Sequence, residues 1–218
     1  MTTLPSVRRT LLRDSAYEAI RDAIVRGDIA PGTVVSNGAV AEQLGLSRAP
    51  VRDALARLAD EGLVETKPQS YTRVTQLVPK EVRDAAAVVR AMHELAARTA
   101  VPLLTAGDVD AMRDANRRFE AATTAGDVDA AMSCDDELHG VLVGVGGNRA
   151  VAATIERYTP LIRRLERRQF SSARARRSVR WHDALIAACA AGDVDQAIQI
   201  TAQIWRSLED LADDLSLR

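Results

Sequence analysis

Aromatic residues make up only 3% of this 218-residue sequence, and it holds just two cysteines. So few aromatics, beside abundant alanine, lean toward helix and away from sheet. Cys134 and Cys189 are isolated and form no CxxC pair, which excludes a disulfide framework. They read as small core residues of a reduced, cytoplasmic protein. No run approaches ~18 uncharged apolar residues, so a membrane span is excluded. Arg8 and Arg9 lie near the start with no apolar segment after them, which argues against a secretion signal. An excess of basic charge is missing too. The formal net charge is −1; residues 1–76 carry 10 Lys/Arg against 9 Asp/Glu, and the remainder 19 against 21. Any case for nucleic-acid binding must rest on where arginines sit.

What is present divides into two grammars. In the first 76 residues the helices are short and the turns tight. Leu12, Ala16, Ile20, Ala23 and Ile24 follow helical spacing as far as Gly27. Ile29-Ala30-Pro31-Gly32 reads as a turn. A helix over Asn37–Leu44 is capped by Ser36 and ended by Gly45. The next starts at the cap Ser47, tolerates Pro50 in its first turn, buries Val51, Ala54, Leu55, Leu58 and Ala59, and closes at Gly62. Extended pieces at Leu63–Lys67 and Thr72–Gln76, joined by Pro68-Gln69-Ser70-Tyr71, complete a helix, helix, helix, hairpin order.

From Pro79 onward the sequence predicts long amphipathic helices, about six of them, forming a bundle. Ala-Gly-Asp-Val-Asp recurs at 106–110, 125–129 and 191–195. Each copy is expected to mark a corner where Gly ends one helix and Asp caps the next. The expected fold class is therefore mainly α, a winged helix-turn-helix followed by an all-α bundle. The boundaries are an N-terminal segment at 1–10, a head at 11–76, a linker at 77–79 and the helical domain at 80–218.

The third helix carries the case for DNA. Ser47-Arg48-Ala49-Pro50-Val51-Arg52 places Arg48 and Arg52 one turn apart, opposite the buried stripe. Arginine is suited to bidentate contact with guanine or phosphate at the start of a recognition helix. On their own, two such arginines read as the solvated side of an amphipathic helix; the DNA reading rests on the helix, the Gly45 turn before them and the hairpin after.

At these residues the chain resembles the GntR family of regulators. The resemblance runs through Ile29-Ala30-Pro31-Gly32, Ala41-Glu42-Gln43-Leu44-Gly45-Leu46-Ser47-Arg48-Ala49-Pro50-Val51-Arg52-Asp53-Ala54-Leu55 and Glu61-Gly62-Leu63-Val64-Glu65. It implies that Arg48 and Arg52, with Ser47 and Ala49, contact an operator while the wing, with Tyr71 and Arg73, enters the minor groove. Two positions depart from the family. Asn37-Gly38 stands where Glu-Arg is usual, and Tyr71 stands where the wing tip carries Gly.

In the helical half, Asp135 and His139 lie four apart on a face that also carries Val128, Ala131, Met132, Leu138 and Leu142. His182 lies with Val179, Leu185, Ile186 and Cys189 on a later helix. A carboxylate and imidazoles on buried faces must be paired, hydrogen-bonded or bound to metal. Spacing alone leaves open an internal Asp–His hydrogen bond with His182 as a satisfied core residue.

This half resembles the FCD ligand-binding domain of the FadR subfamily. The resemblance assigns Asp135, His139 and His182 to a divalent metal, zinc foremost, with nickel or manganese as alternatives. The usual fourth ligand falls on Ile204, which cannot bind metal. The same resemblance points to Arg90, Asn148, Ile204 and Trp205 around a small carboxylate effector. Arg90 is equally placed for a surface ion pair with Glu94. His93 is expected to be structural or solvated. The dense run Arg163, Arg164, Arg167, Arg168, Arg174, Arg176, Arg177, Arg180 reads as a solvated face, a cavity mouth, a dimer surface or a DNA contact.

The expected function is a DNA-binding transcription regulator, a repressor by preference and not an enzyme. It would act as a homodimer on a palindromic double-stranded operator, with the effector altering the placement of the two heads. An effector-insensitive DNA binder with a vestigial pocket is the alternative. A metal-dependent hydrolase is a further one, but no conventional zinc-hydrolase motif occurs, and Asp136 or Glu137 would serve as base only from the wrong side of the helix.

Overall fold

The computed structural model describes residues 9–67, 70–168, 170 and 172–216. The expected N-terminal segment thus lies almost wholly outside the described residues, as do Pro68 and Gln69 of the wing turn. The chain divides into two compact units, Met1–Leu77 and Val78–Arg218.

The first unit contains α1 (Arg9–Arg26), α2 (Asn37–Leu44), α3 (Arg48–Asp60), β1 (Val64–Lys67) and β2 (Tyr71–Val74). Gly27, at φ 85, follows α1, and Gly45, at φ 64, ends α2 in the left-handed region that glycine adopts without penalty. Ser36 caps α2, its side chain accepting from the Ala39 amide. Ser47 has the extended backbone of a cap for α3, but its side chain makes no capping hydrogen bond. That hydroxyl is left exposed beside Arg48.

The strands pair antiparallel in the register Val64↔Val74 to Lys67↔Tyr71. Tyr71 is therefore a strand residue, not part of the joining turn. A bridge from Val34 to Arg73, with Val35 N–H donating to Thr72 O at 2.7 Å, lays the turn segment along the outer side of β2. The core joins Tyr17, Ile20 and Ile24 of α1 to Val51, Leu55 and Leu58 of α3 and to Leu63, Val64 and Val74. Leu12, expected in that stripe, is 54% exposed. Glu61, buried at the end of α3, accepts from the Tyr17 hydroxyl at 2.8 Å and from Arg57 at 3.0 Å.

The second unit holds six helices among the described residues: α4 (Pro79–Ala100), α5 (Ala106–Ala125), α6 (Val128–Gly146), α7 (Arg149–Arg168), α8 (Ser172–Ala191) and α9 (Val194–Ser216). A 3-10 turn, Val101–Leu103, follows α4. Helix α4 packs against α9, α7 and α6, burying an alanine-rich face that includes Ala85, Ala86, Ala96, Ala97 and Ala100. Such small side chains let helices approach closely. At Gly146 a Cβ would lie 2.8 Å from Thr99 Oγ1, so any larger residue there would force that threonine side chain to move.

Two of the three Ala-Gly-Asp-Val-Asp copies form the expected corners. Gly126 and Gly192 take φ 74 and 68, and Asp127 and Asp193 accept from the amides of Ala130 and Gln196. The first copy does not. Thr105 takes the cap of α5, Asp108 completes a capping box with it, and Gly107 lies inside the helix. A threonine three residues ahead of an aspartate outcompetes the Gly-Asp corner because the chain has already turned after α4.

Candidate functional site

In the first unit, the N-terminal end of α3 presents Ser47, Arg48, Ala49 and Arg52 as exposed residues. Arg52 lies 3.6 Å from Asp53, a contact too exposed to hold it. The Arg48 guanidinium lies over Gly38, its Nη2 3.5 Å from where a Cβ would stand. The bare residue at 38 is thus the floor on which Arg48 rests. On the hairpin, Arg73 pairs with Glu65 opposite it, donates to the Tyr71 hydroxyl at 3.3 Å and lies 4.7 Å above that ring. These contacts pre-position the Arg73 guanidinium on the wing.

In the second unit, the structure gathers Asp135, His139 and His182, with one ligand atom of each within 4.8 Å of the others. Helical spacing brings Asp135 and His139 together on α6, and α8 delivers His182 from across the bundle. Both histidines are buried. His182 Nε2 lies 3.3 Å from Asp135 Oδ1, its one close polar neighbour among the described residues, and no regular hydrogen bond satisfies it. His139 Nε2 is 3.9 Å from the same oxygen. Burial holds the His139 imidazole down to about 4, with His182 adding to the effect and Asp135 opposing it. It is therefore a neutral nitrogen donor under ordinary conditions.

Two further residues join the cluster, each along one of the alternatives that the sequence left open. His93 is structural rather than solvated: it is 5% exposed, stacks on Trp205 at 4.5 Å and meets His139 edge-on at 5.6 Å. Burial, then His139, holds it well below its ordinary value. The other is Arg163, which takes the cavity alternative offered for the arginine run. It belongs to no solvated face; it is buried and donates to Asp135 Oδ2 at 2.5 Å, to Glu166 at 2.6 Å and to Asp136. Burial alone would raise the Asp135 carboxyl, but Arg163, followed by the histidines, outweighs it and holds the group well below the usual range. Burial pushes Glu166 up to about 7 despite the same arginine. Arg164 is buried as well, while Arg167 pairs with Asp129.

The residues predicted to surround an effector are only partly brought together. Trp205 joins the cluster, and Ile204 beside it is buried at 7% exposure. Arg90 is engaged by Glu209 at 2.7 Å and Glu94 at 3.2 Å, the ion-pair alternative in fuller form. Asn148 does not join: it is exposed, and its side-chain oxygen accepts from the Ala150 and Val151 amides as the cap of α7. A cavity of about 50 Å³ adjoins Asp135, lined also by Arg163, Glu166, Phe119 and Ser178. That volume accommodates roughly three or four waters or one small polar group.

Two family descriptions match the chain: bacterial regulatory proteins of the gntR family over residues 12–74, and the FCD domain over residues 83–207. An uncharacterized HTH-type transcriptional regulator of Agrobacterium vitis, in the TAR-I ttuE-ttuC' intergenic region, is 33% identical over 132 residues, covering 59% of this chain and 77% of its own. The HTH-type transcriptional repressor RspR of Escherichia coli is 27% identical, covering 71% and 68%. In structure, E. coli McbR/YncC superposes with a TM-score of 0.83 at 19% identity, over 94% of this chain and 98% of its own.

Proposed function

The chain belongs to the gntR family of bacterial regulatory proteins and carries an FCD domain, and from that premise we propose a repressor whose grip on DNA answers to a small carboxylate bound beside a divalent metal ion. That it is a transcriptional regulator with a DNA-binding head follows from the family. Repression, metal and effector are the further reading.

The observation that carries it is the buried Asp135–His139–His182 trio with an orphaned His182 Nε2. A bare imidazole nitrogen and a carboxylate oxygen 3.3 Å apart call for a positive centre between them. The charge balance agrees, because one arginine, Arg163, faces three carboxylates. Two imidazoles and a carboxylate suit zinc, with nickel and manganese as alternatives, and Ile204 leaves the fourth position open. Such an ion supplies, when bound, a Lewis-acidic centre for an effector oxygen. The chain's own residues do the rest: Asp135, His139 and His182 hold the centre, Arg163 orients Asp135, and the adjoining cavity admits a polar group.

On the DNA side, the exposed Arg48 and Arg52 and the braced Arg73 support operator contact. A homodimer on a palindromic operator is the arrangement such a head requires. Cytoplasmic location accords with this role; among the described residues no helix is long and apolar enough to cross a membrane. Binding is favoured over hydrolysis because the nearby carboxylates are engaged, Asp136 and Glu166 by Arg163 and Glu137 by Arg118.

Metal analysis of the purified protein, followed by a thermal-shift screen of organic and sugar acids, tests the reading. A stabilising acid is expected whose effect disappears in both His139→Ala and His182→Ala and which releases the protein from its operator. A shift surviving in both variants would remove the metal-linked site.

A further inference from the structure

Asn116 is a polar residue in the apolar face of α5, between Met112 and Phe119, and it is 4% exposed. Its amide nitrogen donates to Asp183 Oδ1 at 2.7 Å and to Val179 O at 3.3 Å, both on α8. Those two acceptors fix which way the amide lies. Turned over, its oxygen would face the Asp183 carboxylate with no proton between them. The Asn116 oxygen therefore faces His182, 3.0 Å from Nδ1.

We propose that Asn116 is the positioning residue for His182: by accepting at Nδ1 it fixes the Nδ1–H tautomer, so the Nε2 lone pair is the one presented to Asp135 and His139. An acceptor at 3.0 Å leaves Nδ1 as the donor, and a neutral imidazole has only one. The ring has little freedom to escape this choice, being fully buried and held edge-on by Phe119 at 5.1 Å. Asp183 is exposed and lies at the rim of an open cleft with Arg113 and Arg117, so the chain Asp183–Asn116–His182 runs from the surface to the buried trio. Outer partners of this kind set ligand orientation and basicity at metal sites. The purpose assigned to the tautomer rests on the metal reading above; the tautomer itself does not.

The full chain, labelled with 15N-histidine and stripped with chelator, is measured above neutral pH by long-range proton–nitrogen correlation. The expected His182 pattern is a protonated Nδ1 and a bare Nε2. Asn116→Leu, of similar size, should abolish that preference. The exchange Asn116→Asp with Asp183→Asn keeps an acceptor toward His182 and a donor toward residue 116, and should restore it. In zinc competition titrations, Asn116→Leu is expected to weaken binding about 10–100-fold, with the exchange variant near wild type. A purely structural tie between α5 and α8 would leave the tautomer unmoved. An Nε2–H tautomer in the wild-type protein, or undiminished zinc affinity in a folded Asn116→Leu, overturns the proposal. Should the wild-type protein take no zinc, the metal reading fails while the tautomer measurement still decides the role of Asn116.

Discussion

Arg163 and Asp135 form a buried ion pair, and the pair leaves half of the carboxylate for other work. Asp135 Oδ2 accepts from the guanidinium at 2.5 Å, while Oδ1 faces His182 and His139. The arginine supplies one positive charge on one side of the carboxylate, and the histidines converge on the other. The pairing with arginine and the face turned to the two histidines thereby fall to different oxygens of one residue.

Removing that arginine should be costly. Arg163→Met leaves Asp135 and Glu166 with their counter-ion gone in the interior, and breaking a buried pair in this way typically costs about 3–5 kcal/mol. Urea unfolding in chelator is expected to show a loss of that order. Added zinc should recover more of the melting temperature in the variant than in the wild type, since a cation then replaces the missing charge.

Glu166 gives a dependence on pH with a defined sign. Its folded value, raised by burial to about 7, lies above the unfolded value of 4.5. The stability it contributes is fully present below the unfolded value and is lost as pH rises through about 7. His139, held down by burial to about 4, acts oppositely: its contribution is present above 6.5 and lost as pH falls toward 4. Comparing wild type with Glu166→Gln in chelator isolates the first effect. The variant should gain stability relative to wild type as pH climbs from 5 to 8; a constant difference between them would contradict the assignment.

On the head, Arg48→Ala and Arg52→Ala should each weaken operator binding by about 1–3 kcal/mol while leaving the thermal melt unchanged. Both side chains are exposed, so their loss leaves the core intact. Gel-shift titrations against operator and unrelated DNA separate loss of specificity from a general loss of phosphate contact.

Tyr17→Phe tests the internal fastening of the head. It deletes the 2.8 Å hydrogen bond to buried Glu61 and retains the ring on which Arg57 stacks at 3.7 Å. Leaving a buried acceptor short of a donor costs about 1–3 kcal/mol. Chemical denaturation should show that loss in the unfolding of the head.

Much of this was legible in the residues. Ser36 and Gly45 bound α2 because a hydroxyl cap and a left-handed glycine are local requirements, satisfied within a few residues. The Asp135/His139 face was readable for the same reason, four-residue spacing being a property of one helix. Arg163 was not. In sequence it sits within a run of arginines that resembles a solvated face, and the carboxylates that draw it inward include two from α6. Only the packing of α6 on α7 shows that charge to be internal. His93 was hidden similarly, since its stacking partner Trp205 lies on α9. Asn148 and the first Ala-Gly-Asp-Val-Asp copy misled for the opposite reason: local capping claimed residues that looked available.

If the proposed DNA contacts of the head hold, the bare surface at Gly38 carries a prediction about ionic strength. Arg48 occupies the space above it, so an arginine at 38 would have to share that space with a like charge. One cation therefore stands where two would crowd. Fewer phosphates neutralised means fewer counterions released from the duplex, and each contact withheld flattens the plot of log affinity against log salt by about 0.9. Affinity for DNA should accordingly decline more gently as the medium grows saltier than in a relative carrying arginine at both positions.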